Sequence, residues 1–221
     1  MISVIIPTLN ESQSLPGLLE SLAGAGFELW VVDGGSDDGT SEIARASGAR
    51  VLNGATGRAA QMNLGARNAN GEVLVFLHAD SVVDADFCTA LSRLEIHRNR
   101  WGFFRPHLLP PRPLYRMIGW CMWQRSRITG IATGDMAIWC SRSFVGIGDP
   151  VFPNQPLMED IEFSKRARAR QKPVTIDVAI GVSARRWERR GVARTVLGMW
   201  LTRLRYFFGT PAESLHRSYY G

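Results

Sequence analysis

At 221 residues the chain is long enough for one sizeable domain with a buried core and too short for two ordinary ones. Its 45% hydrophobic and 21% charged composition excludes a disordered chain. No run of about 18 apolar residues is present to span a membrane.

The net charge of +6 is unevenly spread. Residues 1–110 carry 8 basic against 12 acidic side chains, and residues 111–221 carry 18 against 8. Nearly all the basic residues are arginine, which suits forked contacts to phosphate or carboxylate. The basic half can therefore meet phosphates, an acidic acceptor or an anionic membrane, while the acidic first half argues against nucleic acid. Met1 runs straight into an apolar stretch with no signal segment ahead of it. Cys88, Cys121 and Cys140 are sparse and lack metal-ligand spacing, so reduced thiols and a cytoplasmic location are expected.

The predicted elements begin with a strand at Ile2–Pro7. A helix over Ser14–Ala23 follows, with Leu15, Leu18, Leu19 and Leu22 at helical spacing and Pro16 in its first turn. Next come a strand at Leu29–Val32, a helix at Asp37–Ala46, a short strand at Arg50–Leu52, a helix at Arg58–Asn68 and a strand at Val73–Leu77. This alternation implies right-handed crossovers, an α/β fold and a mostly parallel central sheet flanked by helices.

Beyond Asp80 the pattern loosens. Asp84–His97 can form a helix, and the four prolines of Pro106–Pro113 predict an extended loop. Leu114–Arg127 mixes large apolar side chains with arginines and has no assigned element. Met158–Ala169 reads as a helix that opens acidic and closes basic, matching its dipole. An amphipathic helix is predicted over Val192–Phe208. Its apolar face suits core packing, a homodimer contact or a peripheral position on an anionic membrane surface.

In a parallel sheet the functional loops lie at the carboxyl ends of the strands. Those ends are Pro7 to Glu11, Asp33 to Ser36 and His78 to Asp80. Asp33 ends an apolar strand and precedes two glycines, so its carboxylate can accept a hydrogen bond from a base N–H where the backbone allows close approach. Capping of the next helix is the competing role for Asp33 and Asp37. Arg58 opens a helix behind Gly54 and Gly57, a place that suits a diphosphate. No dinucleotide or Walker-type glycine motif is present.

The ordered set Ile5–Glu11, Val31–Thr40, Arg58–Gly65, Phe76–Asp80, Gly134-Asp135 and Glu159-Asp160 resembles the family 2 glycosyltransferases. The resemblance covers residues 2 to about 170 and implies a GT-A-like fold. It implies inverting transfer from a nucleoside-diphosphate sugar to an acceptor hydroxyl. A protein of the same fold that binds the nucleotide-sugar without transferring it is the rival reading.

By resemblance the donor nucleotide is bound by Pro7, Thr8, Glu11, Asp33, Arg58, Asn63 and Asp80. Gly134 and Asp135 would face the donor sugar and acceptor. Asp160 would be the general base, with Glu159 beside it. The family carries Asp-x-Asp where this chain has His78-Ala79-Asp80. Asp80 is thus the expected ligand for Mn²⁺ or Mg²⁺, with His78 either ligating or standing aside; imidazole suits Mn²⁺ better than Mg²⁺. The His-Ala-Asp form and compact length resemble a small bacterial subgroup linked to arsenosugar biosynthesis. Arg185-Arg186-Trp187 resembles the Gln-x-x-Arg-Trp motif of processive members, but Ser183 stands at the Gln position, so processivity is not expected. The chain is accordingly expected to be a single domain, with 1–110 as the nucleotide-sugar half and 111–221 as the acceptor half.

Overall fold

The computed structural model describes residues 1–54, 56–96, 99–146, 148–184, 188 and 191–220. The elements are β1 (Ile2–Thr8), α1 (Leu15–Leu22), β2 (Glu28–Asp33), α2 (Thr40–Ala46), β3 (Arg50–Asn53), α3 (Arg58–Asn68), β4 (Val73–Phe76) and α4 (Ala85–Ser92). They continue as β5 (Trp101–Leu109), α5 (Pro113–Thr129), β6 (Trp139–Ser141), α6 (Arg142–Val145), α7 (Glu159–Arg170), β7 (Val174–Ser183), α8 (Val192–Phe207) and α9 (Ala212–Tyr220).

The strands form one seven-stranded sheet in the order β3-β2-β1-β4-β6-β5-β7. β1 pairs in parallel with β2 and β4, and β2 with β3; β6 runs antiparallel between β4 and β5, and β7 closes the far edge parallel to β5. The expected mostly parallel α/β sheet is therefore present. Burial on both faces explains the nearly unbroken apolar run of β1. Ile5 packs on one side with Met62, Phe76, Trp101, Phe103 and Phe163, while Val4 and Ile6 pack on the other with Leu15, Leu18, Leu19 and Phe87.

Two boundaries differ from the sequence expectations. α2 starts at Thr40 rather than Asp37, because the Asp38 carboxylate binds the Thr40 amide at 3.1 Å and the Ser12 amide at 3.0 Å and holds the preceding residues as a loop. Pro106–Pro113 is not one extended loop: Pro106 lies inside β5 and Pro113 opens α5. β5 pairs with β6 only at Trp101 and Gly102, so a residue lacking an N–H is tolerated further along it. Proline at a first helical turn sacrifices no bond.

α3 is anchored at its C-terminal end. The Arg142 guanidinium donates to the carbonyls of Gly71 at 3.0 Å, Ala66 at 3.3 Å and Ala69 at 2.6 Å, covering orphan acceptors at the helix C-terminus. That anchor sets where the opposite end of α3, with Arg58, emerges. Among the described residues no helix is long and apolar enough to cross a membrane. The Arg185-Arg186-Trp187 stretch lies outside the described residues.

Candidate active site

The parallel register sets Thr8 beside Asp33 and brings the end of β4 next to β1. Behind these tips the Gln61 amide donates to the Thr8 carbonyl at 2.7 Å and the Val32 carbonyl at 2.8 Å, locking α3 to both strands. Arg58, one turn earlier on α3, then reaches the end of β4.

There it enters a cleft of about 240 Å³ whose lining includes Arg58, His78, Asp80, Thr133, Asp135, Glu159 and Asp160. The Arg58 guanidinium lies 3.6 Å from the Glu159 carboxylate and 3.5 Å from Nε2 of His78. Asp160 accepts hydrogen bonds from the Gly134 amide at 2.8 Å and from the Ile161 amide at 2.7 Å. Its carboxylate is thereby aimed at the start of α7, where helix amides favour negative charge. A Cβ on Gly134 would fall 2.5 Å from Nε2 of His78 and 3.5 Å from Arg58, so only glycine leaves these side chains where they are. Met158, directly before Glu159, adopts left-handed backbone (φ 64°), a local strain of the kind found at functional sites.

Burial sets the protonation of the site. Burial lowers the pKa of His78 to about 4, and the Arg58 charge adds to this; Asp80 and Asp160 pull the other way. At neutral pH the imidazole is uncharged. Glu159 is raised above the ordinary carboxylate range by burial and by Asp160, with Arg58 opposing. The two adjacent carboxyls are therefore inequivalent: a buried one beside an arginine and a half-exposed one held by two amides.

The other expected site residues sit differently. Asp33 is 2% exposed, and its carboxylate is held by the amides of Gly35 and Ser36 and by the hydroxyls of Ser36 and Ser41. These four donors outweigh burial and keep its pKa low. Asp33 thus organises the loop after β2, and the capping role considered for Asp33 and Asp37 belongs to neither, since α2 has Gly39 at its cap and no side-chain bond there. Pro7 and Thr8 lie on β1, half-buried and buried. The Glu11 amide donates to Thr40 Oγ1 at 2.9 Å, which ties the first tip to α2. Asn63 is buried behind the cleft, clamping the Phe152 backbone through bonds of 2.8 and 2.9 Å.

One cleft residue, Thr133, and one residue outside the cleft lining, Arg125, carried no assigned role in the sequence. Among the described residues, Thr133 Oγ1 is buried without a hydrogen-bond partner, and so is Nε of Arg125. Unmet donors of this kind are costly and stand ready for a ligand. Thr133 adjoins Gly134-Asp135, and that adjacency was its available signal.

The donor set can be weighed for a divalent ion. No three His, Cys, Asp or Glu side chains group for metal binding among the described residues, and the Arg58 guanidinium lies 3.5 Å from Nε2 of His78. A single open carboxylate such as Asp80 fits the other common arrangement, in which a diphosphate carries the ion and one protein carboxylate completes its shell.

Residues 3–98 match the family model described as glycosyl transferase family 2. That match covers 96 of the 221 residues. A 4,4'-diaponeurosporenoate glycosyltransferase of Staphylococcus haemolyticus is 43% identical over 89 residues, which cover 36% of this chain and 24% of that protein. A PGL/p-HBAD biosynthesis glycosyltransferase of Mycobacterium bovis is 42% identical over 97 residues, covering 39% and 38%. The matched segments are thus well under half of these relatives' own lengths.

The fold is that of the GT-A glycosyltransferases. S. aureus TarS 1-349 in complex with UDP-GlcNAc superposes with a TM-score of 0.67 at 22% identity, over 83% of this chain and 58% of that one. Glucosyl-3-phosphoglycerate synthase of Mycobacterium tuberculosis, solved with Mg²⁺ and UDP, gives 0.59 at 20% identity over 92% and 79%.

Proposed function

We propose that the chain is an inverting glycosyltransferase that moves a sugar from a nucleoside-diphosphate sugar to an acceptor hydroxyl. The observation that carries this reading is the cleft itself: a positioned carboxylate, Asp160, shares one small chamber with Arg58 and Asp80. Residues 1–110 serve as the donor half and residues 111–221 as the acceptor half.

Arg58, at the head of α3, receives the diphosphate and offsets the charge that grows on it. The acceptor oxygen attacks the anomeric carbon, the bond from that carbon to the diphosphate oxygen breaks, and the electron pair leaves with the nucleoside diphosphate. Asp160 takes the hydroxyl proton, its lone pairs oriented by the Gly134 and Ile161 amides. Glu159 holds Arg58 in place. His78 stays neutral and packs against the guanidinium, and Gly134 keeps the floor of the cleft low enough for both. Thr133 and Asp135 face the transferred sugar and its acceptor. Asp80 is the residue that would hold Mn²⁺ or Mg²⁺, which when bound offsets further charge on the leaving diphosphate. At the tips of β1 and β2, Pro7, Thr8, Glu11 and the Asp33 loop shape the nucleoside end of the site.

Calorimetry with UDP and GDP, with and without Mn²⁺, tests this assignment. One nucleotide is expected to bind at a single site, more tightly with the metal, and its sugar conjugate to be turned over. Binding without turnover of any conjugate would favour the rival reading, a nucleotide-sugar-binding protein of the same fold.

A further inference from the structure

The catalytic cleft does not end at its polar wall. Met199 and Arg203 of α8 line it on one side and on the other line a second hollow, a groove of about 380 Å³ between α5 and α8. That groove is walled by Met117 and Met122 of α5 and by Val196, Met199 and Trp200 of α8. Met117 is 56% and Trp200 64% exposed, a large apolar surface to leave open beside an active site. Arg125 and Arg203 are its cationic members. No carboxylate lies within ion-pair distance of either among the described residues, and Nε of Arg125 is buried without a hydrogen bond. Burial and the nearby Arg203 lower the pKa of Arg125 to about 10, against the opposing charges of Asp160 and Asp135. Two cations crowded together at the mouth of a greasy groove are complementary to an anion with an apolar tail.

We propose that the acceptor is an anionic lipid whose chain lies in the α5–α8 groove and whose charged headgroup pairs with Arg125 and Arg203, presenting its hydroxyl to Asp160. This rests on the glycosyl-transfer reading of the cleft and names the acceptor class for it. The continuity of the two hollows carries it: a chain leaving the cleft past Met199 and Arg203 passes directly onto apolar surface.

The test is titration of the full chain with dodecyl phosphate below its micelle concentration, followed by tryptophan fluorescence, alongside a UDP titration. Saturable binding is expected, about tenfold or more tighter than either inorganic phosphate or neutral dodecyl maltoside. Met117→Glu, at an exposed position, is expected to weaken it about tenfold while UDP affinity is unchanged. Arg203→Gln should erase the preference for dodecyl phosphate over dodecyl maltoside. Phe208→Ser, at a 77% exposed position outside the groove, should change nothing.

UDP binding without saturable dodecyl phosphate binding would overturn this inference alone. So would equal affinity for inorganic phosphate, which marks a bare anion site, or for dodecyl maltoside, which marks detergent adsorption. A dimer in sedimentation that Met117→Glu dissociates would show a second copy covering the groove and overturn it too. Absence of any nucleotide binding would remove the donor reading and this inference with it.

Discussion

The Asp160 carboxylate accepts a hydrogen bond from the Gly134 amide at 2.8 Å, and a Cβ on that same glycine would stand 2.5 Å from the His78 imidazole. One backbone position therefore orients the proposed base and sets the space for the imidazole and, behind it, Arg58. Gly134→Ala is expected to leave the fold intact, push His78 against Arg58, and lower kcat by about 100-fold through misplacement of reacting groups. Steady-state kinetics beside a thermal melt would check it. An alanine variant with native kcat would detach this contact from catalysis.

Arg58 contacts Glu159 and His78. Replacing it with alanine removes the proposed charge-assisted contact to the diphosphate and takes a cation away from the buried Glu159. UDP affinity should fall about 10- to 100-fold, measured by calorimetry, and Glu159 should take up its proton at still higher pH. Arg58→Lys should recover only part of the affinity, since an ammonium lacks the planar fork.

Arg142 is far from the cleft, yet its guanidinium binds three carbonyls at the end of the helix that presents Arg58. Arg142→Ala should cost about 2–3 kcal/mol in urea unfolding. An effect below about 0.5 kcal/mol would mean water replaces the arginine at those carbonyls.

Acid stability should depend on Glu28. Burial works against its charge, but the hydroxyl of Ser3 and the amide groups of Asn70 outweigh burial and lower its pKa to about 2. In the unfolded chain the carboxyl titrates near 4.5. Its contribution is therefore fully present above pH 4.5 and is lost as pH falls from 4.5 toward 2. Glu28→Gln should lower the urea midpoint at pH 7 and flatten that acid limb. A midpoint with unaltered pH dependence would show that other carboxyls govern it.

Much of the first half of the chain was legible because its information is local. β1, α1, β2, α3 and β4 each carry a run or a period readable within a dozen residues, and the strand tips follow from parallel topology. The second half is held by distant partners. β5 is a strand because β7, some seventy residues later, pairs with it from Gly102 to Leu109, and Pro106 in its middle argued locally for a loop. α5 hides its period because both faces are apolar: Met122 and Trp123 are buried while Met117 and Trp120 face outward. Asn63 and Asp33 matched a motif, but their hydrogen-bond partners, Phe152 in one case and the Ser36–Ser41 loop in the other, are tertiary facts. The meeting of Arg58, His78, Glu159 and Asp160 was implied by motif order, whereas the opening of the cleft onto the α5–α8 groove had no signal in the sequence.

Sugar release and transfer from UDP-, GDP- and dTDP-sugars, by the native chain and by Asp160→Asn, test most directly whether this chain is a glycosyltransferase with Asp160 as its base. The native chain is expected to turn over at least one donor. The variant is expected to keep its affinity for the matching nucleotide and to lose turnover by about 100-fold or more. Turnover by Asp160→Asn at the native rate would contradict that expectation, because the carboxylate held by Gly134 would then not be the base.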